Sequence, residues 1–107
     1  MEFHKVAEES SLGEGRLMSV TVDGGERLCL ARVGGEVFAV RDQCSHAEYP
    51  LSDGSLGSDY QLECALHGAV FDVRDGSVKS PPADEPVATY PVKLESGWIW
   101  VGIPQGE

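Results

Sequence analysis

Two short segments of this chain carry side chains that can bind a metal: Cys44-Ser45-His46 and Cys64-Ala65-Leu66-His67. Each pairs one thiol with one imidazole, across one residue in the first segment and two in the second. Seventeen residues lie between His46 and Cys64, and no further thiol or imidazole is close in sequence. Thiolates bind iron and zinc, and neutral imidazole suits both metals. A Cys beside a His also describes an activated nucleophile, but that chemistry needs one such pair and not two. Four-coordinate zinc takes two Cys and two His as well, although zinc fingers usually pair Cys with Cys and His with His at other spacings. The four residues read as a metal centre divided between two loops, with iron or zinc as its metal.

Loops that hold ligands need rigid elements on either side, and the punctuation of this chain supplies short strands. Asp23-Gly24-Gly25-Glu26, Gly34-Gly35, Asp53-Gly54, Asp75-Gly76 and Ser96-Gly97 are turn signals. Between them lie strand-like runs at 16–22, 27–33, 36–41, 61–64, 70–73, 87–94 and 98–101. Within the second run, Leu28, Leu30 and Arg32 fall on one face, and Cys29, Ala31 and Val33 on the other. No window holds a helical apolar stripe for three turns. The expectation is an all-β chain, folded as a small antiparallel sandwich or barrel.

A chain of 107 residues makes one domain, large enough to bury a core without disulfide staples. No apolar run approaches the eighteen residues that a membrane span requires. The start, Met1-Glu2-Phe3-His4-Lys5, lacks the basic-then-apolar layout of a secretory signal. Three cysteines, two of them in metal-type spacing, argue against a disulfide framework and for a reducing, cytoplasmic setting. Eight basic residues against 18 acidic ones give a net charge of −10. That field repels nucleic acid and anionic membranes and favours protein partners with a basic face, although it equally serves solubility alone.

The order Cys-x-His, seventeen residues, Cys-x-x-His closely resembles the ligand pattern of the Rieske 2Fe–2S family. In that family two histidines replace two cysteines on one of the irons. The resemblance spans nearly the whole chain and implies a single Rieske domain over 3–101. It implies the Rieske (ISP-like) fold, an antiparallel β-sandwich base domain with a small cluster-binding subdomain inserted at about 42–82. The flanking segments, 3–41 and 87–101, would build the base. It also implies one Rieske-type 2Fe–2S cluster, with Cys44 and Cys64 on one iron and His46 and His67 on the other. Gly68 would let the backbone pass close to the cluster. Pro81-Pro82 looks like the family's third loop, a rigid cover without N–H groups to satisfy. The mixed pairs together with these landmarks favour the cluster over zinc.

Departures from the respiratory members of the family point to a subclass. Those proteins carry a disulfide between the two loops, where this chain has Tyr49 and Leu66. They also place Ser and Tyr hydroxyls against cluster or cysteine sulfur, where this chain has Ala69 and Phe71. Hydrogen bonds to sulfur stabilise the more negative reduced state, so their loss implies a potential of about −150 to 0 mV. The chain therefore looks like the low-potential ferredoxins of bacterial aromatic-ring dioxygenases. By the family pattern the histidines face the surface, and electrons should leave through His46 or His67. Ala47, Tyr49, Pro50, Pro81 and Pro82 would frame a docking patch for brief encounters. Tyr49 reads equally well as an aromatic that shields the cluster.

The resemblance implies an electron carrier and not an enzyme, taking single electrons from a flavin-type ferredoxin reductase to a terminal ring-hydroxylating oxygenase. A monomer is expected, with protein partners and with neither nucleic acid nor membrane. An oxygenase would need a second iron site with two His and a carboxylate, and only His4 remains outside the proposed ligands. Two other readings stay open: a Rieske-like small subunit of a nitrite reductase, and a ferredoxin accessory to iron–sulfur assembly. Neighbouring genes would separate the three. Among the remaining residues, Cys29 reads as a small core hydrophobe and His4 as surface or strand packing. Trp98 and Trp100 read as core or sheet-face packing, and the carboxylates show no acid–base spacing.

Overall fold

Turns that contain glycine and one proline interrupt this chain, and short strands fill the lengths between. The structure, a computed structural model, describes residues 2–22, 25–43, 50–57, 59–65, 68–81 and 85–104. Among them are eleven strands and two single-turn 3-10 segments, with no α-helix. The strands are β1 (Glu2–Glu8), β2 (Leu17–Thr21), β3 (Arg27–Val33), β4 (Glu36–Arg41), β5 (Ser55–Leu56) and β6 (Gln61–Glu63). They continue with β7 (Val70–Asp72), β8 (Val78–Ser80), β9 (Thr89–Tyr90), β10 (Val92–Glu95) and β11 (Trp98–Ile103). All pairings are antiparallel, in three sheets ordered β1-β11-β10, β2-β3-β4-β9 and β5-β6-β7-β8. No helix among the described residues is long and apolar enough to cross a membrane.

The middle sheet is buried on both faces, which its sequence explains. Leu28, Cys29, Leu30 and Ala31 form an unbroken apolar run on β3, and all four are at most 1% exposed. Leu28 and Leu30 join Val37, Ala39, Ile99 and Val101 in a core shared with the first sheet. Cys29, Ala31 and Val40 point the other way, into a second core with Leu62, Cys64, Phe71 and Val73 from the third sheet. The alternation expected from sequence is present, but both faces are interior. One wall thus carries the sandwich on one side and the sheet that leads into Cys64 on the other.

The turns follow their glycines. Gly34 and Gly35 have φ of 61° and 84°, and Ser96 and Gly97 have 55° and 81°. Positive φ at both central residues is what a two-residue hairpin turn demands. The Glu14 carboxylate accepts the N–H groups of both Gly34 and Gly35, which fastens that hairpin to the chain before β2.

Two differences from the sequence reading have physical causes. The run 87–94 is not one strand, because Pro91 cannot donate to a ladder. Before it, β9 pairs with β4; after it, β10 pairs with β11, so the break moves the chain from one sheet to another. The strand β1, for which the sequence offered no run, forms from the mixed segment EFHKVAE. It is held by its pairing with β11, with a register shift between Lys5 and Ala7.

Candidate metal centre

The second ligand loop leaves the end of β6 at Cys64 and returns into β7. The Ala69 carbonyl accepts the Cys64 N–H at 2.7 Å, and the Cys64 carbonyl accepts the Gly68 N–H at 3.0 Å. Both bonds are backbone to backbone, and they close the loop at its base. Gly68 has a φ of 78°, which an L side chain rarely adopts. A Cβ there would also stand 3.3 Å from Glu63 Oε2. Cys64 is 1% exposed and packs in a cluster with Leu51, Leu62, Ala69 and Phe71, while the next residue, Ala65, is exposed. The loop therefore starts in the core and emerges within one residue.

The flanks of the first loop are held differently. Asp42 ends the chain's run along β4, and its side chain is fully buried. Its Oδ2 accepts the Ser19 hydroxyl at 2.8 Å and the Ser52 hydroxyl at 2.9 Å, and its Oδ1 accepts the Ser52 N–H at 2.8 Å. The Asp42 N–H donates to the Arg27 carbonyl at 3.0 Å, and the Arg27 guanidinium stands 3.8 Å from Oδ2. A hydrogen bond to a charged group contributes about 1.5–3 kcal/mol, and a buried carboxylate without partners is strongly unfavourable. The carboxylate thus clasps β2, the end of β4 and the 3-10 turn Leu51–Asp53. Sequence reasoning passed over Asp42 as one scattered acid, and its only signal was its place two residues before Cys44.

The two loops meet at their bases. Leu51, just after the first, and Cys64, at the start of the second, belong to one buried cluster. Gly54 lies so close to the chain before Cys64 that a Cβ would come within 2.0 Å of the Glu63 carbonyl oxygen. Of the four candidate ligands, Cys64 is described and is placed at this junction. Cys44, His46 and His67 lie outside the described residues, as do Ala47, Tyr49, Leu66 and Pro82. Pro81 is exposed and Pro50 is half-buried. Ala69 and Phe71 are 0% and 1% exposed beside Cys64, so the positions that lack a hydroxyl are interior ones.

This surrounding fits an iron–sulfur group. A buried thiol among aliphatic and aromatic side chains, at the base of two converging loops, is a soft donor kept from water. The far side of the third sheet is braced against the middle sheet. The Arg74 side chain donates to both oxygens of Asp72 at 3.0 and 2.8 Å, and these bonds hold the Asp72 carboxyl below the usual carboxylate range. The Arg74 guanidinium also lies 4.2 Å from the Tyr60 ring centroid, and that ring meets Phe38 of β4 edge-on at 5.8 Å. Elsewhere, Cys29 fills the core as expected, and burial pushes its thiol well up. Trp98 and Trp100 occupy the outer face of the first sheet, with the Lys5 Nζ 4.4 Å from the Trp98 ring centroid.

Comparison with known proteins adds an independent line. Residues 2–91 match the family model of the Rieske [2Fe-2S] domain. The biphenyl dioxygenase ferredoxin subunit of Pseudomonas sp. (strain KKS102) is 39% identical over 95 residues, covering 89% of this chain and 86% of that protein. The ferredoxin of Sphingomonas yanoikuyae B1 superposes with a TM-score of 0.90 at 31% identity, over 96% of this chain and 100% of that one. A chain in the complex of reduced oxygenase and oxidized ferredoxin of carbazole 1,9a-dioxygenase gives a TM-score of 0.86 at 32% identity, over 92% and 91%.

Proposed function

The chain belongs to the Rieske [2Fe-2S] domain family, and from that premise we propose that Cys44 and Cys64 hold one iron of its cluster and His46 and His67 the other. It is a Rieske ferredoxin, a carrier of single electrons and not a catalyst, and it serves an aromatic ring-hydroxylating dioxygenase. The observation that carries the ligand assignment is Cys64, buried on a loop closed by backbone, with the flank of the first loop packed against it. When bound, the 2Fe–2S cluster supplies a one-electron couple.

The chain's own residues then set the conditions of transfer. Leu51, Leu62, Ala69 and Phe71 keep water from the cysteine side. Ala69 and Phe71 offer no hydroxyl to sulfur, which supports a potential at the low end of the family range, about −150 to 0 mV. On this assignment electrons leave toward a partner through His46 or His67. The partners we assign are a flavin-type reductase as donor and the terminal oxygenase as acceptor, met by a monomer in the cytoplasm. The third sheet, from Ser55 to Ser80, supports reading about 42–82 as a subdomain inserted in a base of 3–41 and 87–101, within one domain over 3–101.

Electron paramagnetic resonance of the purified protein, as isolated and after dithionite, tests this assignment. A rhombic reduced-state signal with an average g below that of all-cysteine ferredoxins is expected. His67→Cys should move that average toward the all-cysteine value. A colourless protein that binds zinc, or a spectrum unchanged in His67→Cys, would overturn the assignment.

A further inference from the structure

We propose that Asp42 is a positioning residue for the loop that carries Cys44 and His46, and that its buried charge holds the potential of the centre down. Both parts rest on the ligand assignment above. One carboxylate bridges ten residues of chain, from the end of β4 to Ser52, and so closes the first loop at its base. Through Ser19 it also ties that base to β2, across 23 residues of sequence. An ionised carboxylate accepts only and can take three donors at once, whereas an amide in its place would turn N–H groups toward the hydroxyls. The choice of Asp thus follows from the three donors that converge on it.

The charge has a second consequence. A centre that gains an electron becomes more negative, and a fixed negative charge nearby disfavours that state. Asp42 stands two residues from Cys44 and is fully buried, so salt screens it little. Its nearest cation, Arg27, is 57% exposed at 3.8 Å and offsets the charge only in part. Of the other described carboxylates near the two loops, Glu63 and Asp53 are exposed, and the buried Asp72 is paired through both oxygens with Arg74.

The test uses the cluster-loaded protein with Asp42→Asn and Ser52→Ala, reading the spectrum, the potential and the rate of iron loss to a chelator. Asp42→Asn should keep the histidine-type signal yet raise the ratio of reduced to oxidised protein at fixed poise by roughly tenfold, about 59 mV. It should also release iron several-fold faster. Ser52→Ala keeps the charge, so it should release iron faster while its potential stays within about threefold of the parent ratio. An Asp42→Asn protein with unchanged potential and iron release overturns the inference, and equal potential shifts in both variants overturn its electrostatic part. Should Asp42→Asn fail to load, Arg27→Gln decides. Removing the countercharge should lower the reduced-to-oxidised ratio about threefold, and no shift overturns the proposal. A parent without the histidine-type signal fails the ligand assignment and takes this inference with it. In a parent that shows the signal, the ligand assignment stands and a failed shift counts against Asp42 alone.

Discussion

The second ligand loop closes on itself, with the Cys64 N–H on the Ala69 carbonyl and the Gly68 N–H on the Cys64 carbonyl. The first loop has its footing in side chains, where Asp42 gathers the hydroxyls of Ser19 and Ser52 and the Ser52 N–H. A loop held by backbone tolerates changes of side chain and depends on conformation, so its sensitive point among the described residues is Gly68, at positive φ. A loop anchored at its flank by a carboxylate depends on the chemistry of that group, so its sensitive point there is an acid. The described flanks of two cysteine–histidine pairs that look alike in sequence are therefore supported by unlike means, and substitutions should separate them.

The largest effect should come where the two supports touch. In Gly54→Ala the new Cβ would lie 2.0 Å from the Glu63 carbonyl oxygen, which is backbone and cannot swing aside. We expect a loss of about 3 kcal/mol or more, read from the denaturation midpoint, with both loops failing together. Retention of full stability would mean that the two bases are not rigidly joined.

Gly68→Ala should strike the second loop alone. Its φ of 78° costs an L residue about 1–2 kcal/mol, while the contact at 3.3 Å is with the end of the flexible Glu63 side chain. Iron release should accelerate, yet the potential should not follow that of Asp42→Asn. A matched shift in potential would erase the distinction between the loops.

A smaller change should appear in Ala69→Ser, which places a hydroxyl beside Cys64 at a fully buried position. One hydrogen bond to sulfur is worth about 1 kcal/mol, or some 40 mV upward for one electron by voltammetry. A downward or absent shift would break the link between the missing hydroxyls and a low potential.

The smallest effect concerns pH. Hydrogen bonds from Arg74 lower the Asp72 carboxyl in the folded state, so their stabilisation is fully present above the unfolded value near about 3.9 and is lost as pH falls through the folded one. Asp72→Asn should flatten the acid limb of a stability profile and leave the profile near neutrality almost parallel to the parent. An acid limb unchanged in that variant would place the titrating group elsewhere.

Much of the fold was legible because it is written in local terms. Gly34-Gly35 and Ser96-Gly97 announced hairpins, and the backbone at those residues adopts the positive φ that glycine makes accessible. The apolar run of β3 announced a strand, but its two-sided burial depends on which sheets stack against it. Strand β1 was illegible because its polar segment has little preference of its own and is extended by its pairing with β11. Pro91 was visible, yet its use as a crossing between sheets required partners on both sides.

The sequence by itself determined the spacing of the two Cys–His pairs, the family to which that spacing belongs, and the turns between short strands. Each of these is set by residue type and by neighbours a few positions away. Only the tertiary structure decided that Cys64 is enclosed by Leu51 and Phe71, that Gly54 must lack a side chain, and that Asp42 is a buried clasp. Those facts depend on segments brought together across tens of residues, where burial turns an ordinary aspartate into a fixed charge with three donors around it.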